Sequence, residues 1–195
     1  MIRIGILGDI GSGKSFVAKH FGYPVFNADH EVSKLYQEDR NVYRKLKKIL
    51  PTYIYEFPIN KKQLSEAILF NNSNLQRITK IVHKEIQNKL RFFLKKNRNK
   101  KIVILDIALL LENKINKKND ILVYVESKKK DIARNLRKRK NYNIRIINKF
   151  KNIQLTLAYK KKNSTFIIKN NYTKKSVVDG IKKILKVINN ERNSS

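Results

Sequence analysis

Gly8-Asp9-Ile10-Gly11-Ser12-Gly13-Lys14-Ser15 lies between the β-branched run Ile2-Arg3-Ile4-Gly5-Ile6-Leu7 and a stretch where Phe16, Val17, Ala18 and Phe21 recur at helical spacing. The octapeptide fits G-x-x-x-x-G-K-[ST], the loop that cradles phosphates. Its context is the one the chemistry requires: a buried strand, a glycine loop, then a helix that Gly22 and Pro24 bring to an end. Loop N–H groups and the positive end of the helix dipole attract a polyphosphate. On this reading Lys14 reaches the β- and γ-phosphates, and the Ser15 hydroxyl ligates Mg²⁺. A nucleoside triphosphate is the expected ligand.

Outward from the loop, Tyr23 to Ala28 reads as a second short strand ending at Asp29. An acid just past a parallel strand lies on the edge where doubly wound sheets bind ligands, which makes Asp29 a candidate general base. It is equally suited to cap a helix starting near Glu31. From His30 to about Asn99 the pattern is helical, too long for a single crossover between strands. An inserted helical subdomain is expected there, holding the second substrate. Asn60-Lys61-Lys62-Gln63 and Ser73-Asn74-Leu75-Gln76 read as capping boxes, the second opening a long amphipathic helix. His83 on that helix reads as a surface or packing residue when taken alone.

Ile102-Val103-Ile104-Leu105-Asp106 is a hydrophobic strand ending in an acid, as in the strand that serves Mg²⁺ in phosphate-loop proteins. Ile121 to Val125 gives another strand, and Thr165 to Ile168 a last one, with Asn170 just beyond. Between them, Ser127 to Asn152 is densely basic and implies two short helices, either a solvated pair or a lid whose arginines close over a phosphoryl group. An amphipathic helix from Ser176 to Ile188 and a frayed tail from Asn189 are expected to finish the chain. Strands alternating with helices mean an α/β fold: a three-layer sandwich around a parallel sheet, with a helical insertion and a helical lid.

The 195 residues carry a net charge of +30 and no cysteine, so disulfides and thiolate metal sites are excluded. The basic residues are spread through the chain among asparagines, without a nucleic-acid-binding signature. That distribution reads as compositional bias in a protein with anionic ligands rather than a nucleic-acid footprint. No apolar run is long enough to span a bilayer and no leader pattern opens the sequence, so a soluble cytoplasmic protein is expected.

Taken together and in order, these elements resemble the dephospho-coenzyme A kinase family, from Ile2 to about Leu185. Ile4 to Gly8 with Ile10 to Ser15 is similar to its opening, and Val25-Phe26-Asn27-Ala28-Asp29 to its strand ending in Asp-Ala-Asp. Ile81-Val82-His83 resembles its His-Pro element, and Leu105-Asp106-Ile107-Ala108-Leu109-Leu110-Leu111-Glu112 its Asp-x-Pro-Leu-Leu-x-Glu segment. Arg134, one of Lys138 or Arg139, and Gln154 fit its lid, and Phe166 to Asn170 its final strand. The departures are Asp9 for a glycine, Asn27 for the first acid, and Lys84 and Ala108 for prolines.

The resemblance implies phosphorylation of the ribose 3′-hydroxyl of dephospho-coenzyme A by ATP with Mg²⁺. It implies catalytic roles for Asp29, Lys14, Arg134 and Arg139. ATP binding falls to Gly8, Asp9, Ile10, Gly11, Ser12, Gly13, Lys14, Ser15, Phe16 and Asn170, and the metal to Ser15. Acceptor binding falls to His83, Asp106, Leu109 and Glu112. The expected division is a nucleotide-binding core (1–29, 100–127 and 160–195), an acceptor-binding insertion (30–99) and a basic lid (128–159). A nucleoside or nucleotide kinase shares these features; a basic ATPase acting on nucleic acid is the rival of another class.

Overall fold

The computed structural model describes residues 1–140 and 142–193, the last three by their backbone alone. Among these residues five strands form one parallel sheet: β1 (Ile2–Gly8), β2 (Val25–Asn27), β3 (Ile102–Asp106), β4 (Ile121–Glu126) and β5 (Phe166–Lys169), in the order β2-β3-β1-β4-β5. β1 is central, paired through Ile4↔Ile104 on one side and Ile6↔Val123 on the other. Both faces of these inner strands are covered, which is why they read as unbroken apolar runs rather than alternating ones. Ile4, Ile6, Ile104, Val123, Val125 and Ile168 pack with Val17, Ala18 and Phe21 of α1 (Lys14–His20) on one face. Each of these side chains other than Ala18 contributes about 1.5–3 kcal/mol on removal from water. Gly5 faces the other way, and Leu110 and Leu122 close on its Cα so tightly that a Cβ has no room.

The helices that follow β2 are α2 (Ala28–Glu38), α3 (Arg40–Ile49), α4 (Lys61–Phe70) and α5 (Asn72–Lys96). After β4 come α6 (Lys129–Arg137), α7 (Ile144–Asn152) and α8 (Leu157–Lys162), and after β5 comes α9 (Lys174–Asn193). The chain forms two compact units: residues 1–27, 97–142 and 154–195 around the sheet, and residues 28–96 with 143–153, which are helical. In the helical unit α5 is the spine, burying Leu75, Ile78, Val82, Ile86 and Leu90 while α2, α3 and α4 pack against it. The basic stretch is shared out: α6 belongs to the sheet unit and α7 to the helical one, while α8, beyond it, belongs to the sheet unit. No helix among the described residues is long and apolar enough to cross a membrane.

Several local expectations need correction. β2 passes straight into α2 at Ala28, so Asp29 lies inside the first turn and is not the cap of a helix starting near Glu31. Asn60 does cap α4 by accepting from the Lys62 N–H. Ser73 caps nothing: α5 already begins at Asn72, and the Asn71 side chain accepts from the Ser73 N–H. The expected frayed tail is helical through Asn193; Ser194 and Ser195 lie outside the described residues.

Candidate active site

Past Gly8 the chain reaches α1 through a loop in which Gly11 and Gly13 hold φ of 87° and 89°, a region costly for any residue with a Cβ. A Cβ on Gly11 would also stand 2.8 Å from Leu136 of α6, and one on Gly13 would strike the Asn170 amide. The loop is held from outside. Asn170, buried at the end of β5, donates through Nδ2 to the Ser12 carbonyl at 2.9 Å, and Ser127 Oγ donates to the same oxygen at 2.9 Å. The Tyr172 hydroxyl donates to the Gly11 carbonyl at 2.6 Å. Across a planar trans peptide the C=O and the next N–H point in opposite directions. Fixing the Ser12 carbonyl therefore turns the Gly13 N–H to the opposite side.

Lys14 opens α1, and its ammonium donates to the Gly8 and Asp9 carbonyls at 3.2 and 2.8 Å. It is thus drawn over the loop rather than out into solvent. Asp9 folds back on its own backbone, with Oδ1 accepting from the Ile10 N–H at 2.7 Å. Its charge is also felt by Tyr124 of β4, whose phenol pKa is raised first by burial and then by Asp9 and Glu126. Phe16 is partly exposed and stacks on His20.

Ser15, Asn27 and Asp106 meet at the carboxyl ends of the strands. Asn27 and Asp106 are register partners of β2 and β3, and Asn27 Nδ2 donates to Asp106 Oδ2 at 2.5 Å while lying 3.5 Å from Ser15 Oγ. The Ser15 hydroxyl and the Asp106 carboxylate are hard oxygen donors of the kind Mg²⁺ accepts, with phosphates and water completing its shell. Among the described residues no group of three or more His, Cys, Asp or Glu gathers to hold a metal. A site with one carboxylate and one hydroxyl fits a cation that arrives with a nucleotide.

The remaining candidates are divided between the two units. Asp29 is exposed in the first turn of α2, and His83 lies on α5, both in the helical unit. His83 Nε2 is buried without a partner. Leu109 is half-buried in the turn after β3. Glu112 is engaged by the protein itself: its Oε1 accepts from Lys160 at 2.8 Å and from the Leu155 N–H at 3.0 Å. Arg134 pairs with Asp131 on its own helix at 2.9 Å. Arg139 lies just past α6, close enough for its charge to oppose the burial that raises the Tyr172 phenol pKa.

Comparison with known proteins decides which family uses this arrangement. The dephospho-CoA kinase (CoaE) family model matches residues 2–176. The chain belongs to the dephospho-CoA kinase family. It is 36% identical over 127 residues to the dephospho-CoA kinase of Wolbachia sp. subsp. Brugia malayi, a match covering 63% of this chain and 65% of that protein, just under two thirds. With the dephospho-CoA kinase of Ehrlichia canis identity is 30% over 199 aligned positions, covering 99% of each chain. Among solved structures, TT1252 from Thermus thermophilus superposes with a TM-score of 0.74 at 22% identity, over 95% of this chain and 96% of that one. The dephospho-CoA kinase from Campylobacter jejuni gives 0.63 at 18%, over the same shares. At those identities the two structures speak for the fold alone: a parallel α/β sheet.

Within this dephospho-CoA kinase family member, sequence reasoning missed Ser127 and Tyr172, the residues that brace the loop beside Asn170. Their partners lie 115 and 161 positions away in the chain. A local pattern carries no sign of such contacts; the one local cue was a polar residue just past each of β4 and β5.

Proposed function

We propose that the chain transfers the γ-phosphoryl group of ATP to the ribose 3′-hydroxyl of dephospho-coenzyme A, giving coenzyme A and ADP. Membership of the family supports the substrate pair, and one observation carries the chemistry: a phosphate loop braced on its outer side, with Lys14, Ser15 and Asp106 at its mouth. Gly8 to Ser15 and Phe16 bind the triphosphate, with Asn170 acting through the loop backbone. Ser15 and Asp106, joined through Asn27, would hold Mg²⁺, which when bound neutralises phosphate charge.

Phosphoryl transfer asks the protein mainly for alignment and charge neutralisation. Lys14 supplies positive charge at the transferring group, and Arg134 and Arg139 supply it from the basic segment, which acts as the lid over 128–159. Asp29 takes the proton from the 3′-hydroxyl as its oxygen bonds to the γ-phosphorus. The bond from that phosphorus to the bridging oxygen breaks, and the electron pair leaves with ADP. The helical insertion over 30–99, with His83, grips the acceptor, aided by Leu109 and by Glu112 from the sheet unit. The reaction runs in the cytoplasm.

A coupled ADP-release assay tests this with ATP, Mg²⁺ and a panel of acceptors. Turnover with dephospho-coenzyme A and none with nucleoside monophosphates is the expected result. Turnover with nucleoside monophosphates alone makes the protein a nucleotide kinase, and stimulation by nucleic acid alone makes it an ATPase of another class.

A further inference from the structure

Tyr172 is a tyrosine where the backbone prefers glycine. Its φ is +64°, a left-handed conformation in which a bulky side chain crowds its own carbonyl. Strain of this kind persists only where surrounding contacts enforce it, and two hydrogen bonds do so here. The Tyr172 N–H donates to Asn170 Oδ1 at 2.8 Å, which is the same amide whose Nδ2 holds the Ser12 carbonyl. The phenol crosses to the loop and donates to the Gly11 carbonyl at 2.6 Å. Ser127, whose hydroxyl lies within hydrogen-bond distance of the Ser12 and Asn170 carbonyls, and Asn135 of α6 stand near enough to the phenol to offset part of the burial that raises its pKa.

One residue therefore ties the segment after β5 to the phosphate loop, with Asn135 of α6 near its phenol. Gly11 is pressed against Ile132 and Leu136 of α6 from the other side, so loop and helix have little freedom to move apart. α6 carries Arg134 and leads to Arg139. Burial raises the phenol pKa, so the hydroxyl remains a donor across the neutral range.

We propose that Tyr172 is a positioning residue for nucleotide binding, a latch that fixes the Gly11–Ser12 peptide and holds the phosphate loop in register with α6. It touches no reacting atom in this role. The inference rests on the kinase reading above only in taking the loop's ligand to be ATP.

The test is equilibrium titration of ATP, without acceptor, into the parent, Tyr172→Phe and Tyr172→Gly, alongside thermal melting of each. Tyr172→Phe keeps the ring and removes the donor; it should melt close to the parent and bind ATP roughly three- to tenfold more weakly, the scale of one hydrogen bond lost. Tyr172→Gly relieves the left-handed strain and removes the latch; it should melt at or above the parent while binding ATP at least as weakly as the Phe variant. In turnover, KM for ATP should rise while KM for dephospho-coenzyme A stays unchanged. A purely structural tyrosine would make stability and ATP affinity move together. Parental ATP affinity in Tyr172→Phe overturns the latch. A parent that binds ATP but does not phosphorylate dephospho-coenzyme A sinks the proposed acceptor instead, and the latch is still read from the ATP titrations.

Discussion

Lys14 and Asp29 divide the work of the proposed reaction, and substitution separates them. Lys14 supplies charge to phosphates, so Lys14→Ala should weaken ATP binding and lower kcat together. Asp29→Asn keeps the shape of the side chain and removes the charge that attracts the proton. Its expected effect is a fall in kcat of roughly 10²–10³-fold, the lower part of the range for a general base, because a loose transition state asks less of one. ATP affinity should be unchanged in steady-state titrations. Asp29 also stands in the first turn of α2, where its charge interacts with the helix dipole. Losing that interaction costs about 0.3–1 kcal/mol of stability, too little to mimic a catalytic defect. An Asp29→Asn variant that turns over like the parent would make the carboxylate a helix-end charge and nothing more.

Among the secondary elements, legibility followed burial. β1, β3 and β4 are covered on both faces, so Ile2 to Leu7, Ile102 to Asp106 and Ile121 to Val125 announce themselves as apolar runs. α9 continues through Asn193 because a helix already anchored by Val177, Ile181, Ile184 and Ile188 extends into polar residues whose sequence carries no periodic signal. α8 was hidden for a sharper reason. Lys160 stands in a run of three lysines, yet it is 1% exposed, paired with Glu112 at 2.8 Å and donating to Gln154 at 2.9 Å. The lysine's partner is 48 positions earlier, and no local pattern links them. This pair ties α8 to the turn after β3. Lys160→Ala strands the Glu112 carboxylate and should lower stability by about 3–5 kcal/mol in urea unfolding. The double variant Glu112→Gln, Lys160→Met should recover most of that loss, since a well-packed replacement of a buried pair is often neutral. A single variant within about 0.5 kcal/mol of the parent would mean that the pair is not truly removed from water.

At the scale of the whole molecule, the strand order places the site. β1 lies between β3 and β4, so its loop, the Asp106 end of β3 and the Asn170 end of β5 all open on the same edge of one parallel sheet. That edge is where open α/β sheets bind ligands. The residues at the edge were legible as motifs; what they touch was not, because Asn27 on Asp106 and Asn170 on Ser12 join positions 79 and 158 apart. The net charge of +30 acts on the molecule as a field, drawing anionic substrates in and raising their on-rates at low ionic strength. It does not choose among them; the site chooses. The most direct measurement is therefore structural identification of the product formed from ATP and dephospho-coenzyme A with Mg²⁺, by mass spectrometry and phosphorus–proton coupling in NMR. The account predicts a single added phosphate on the ribose 3′-oxygen, together with equimolar ADP. ADP released without a phosphorylated acceptor, or phosphate found at another position, would contradict it.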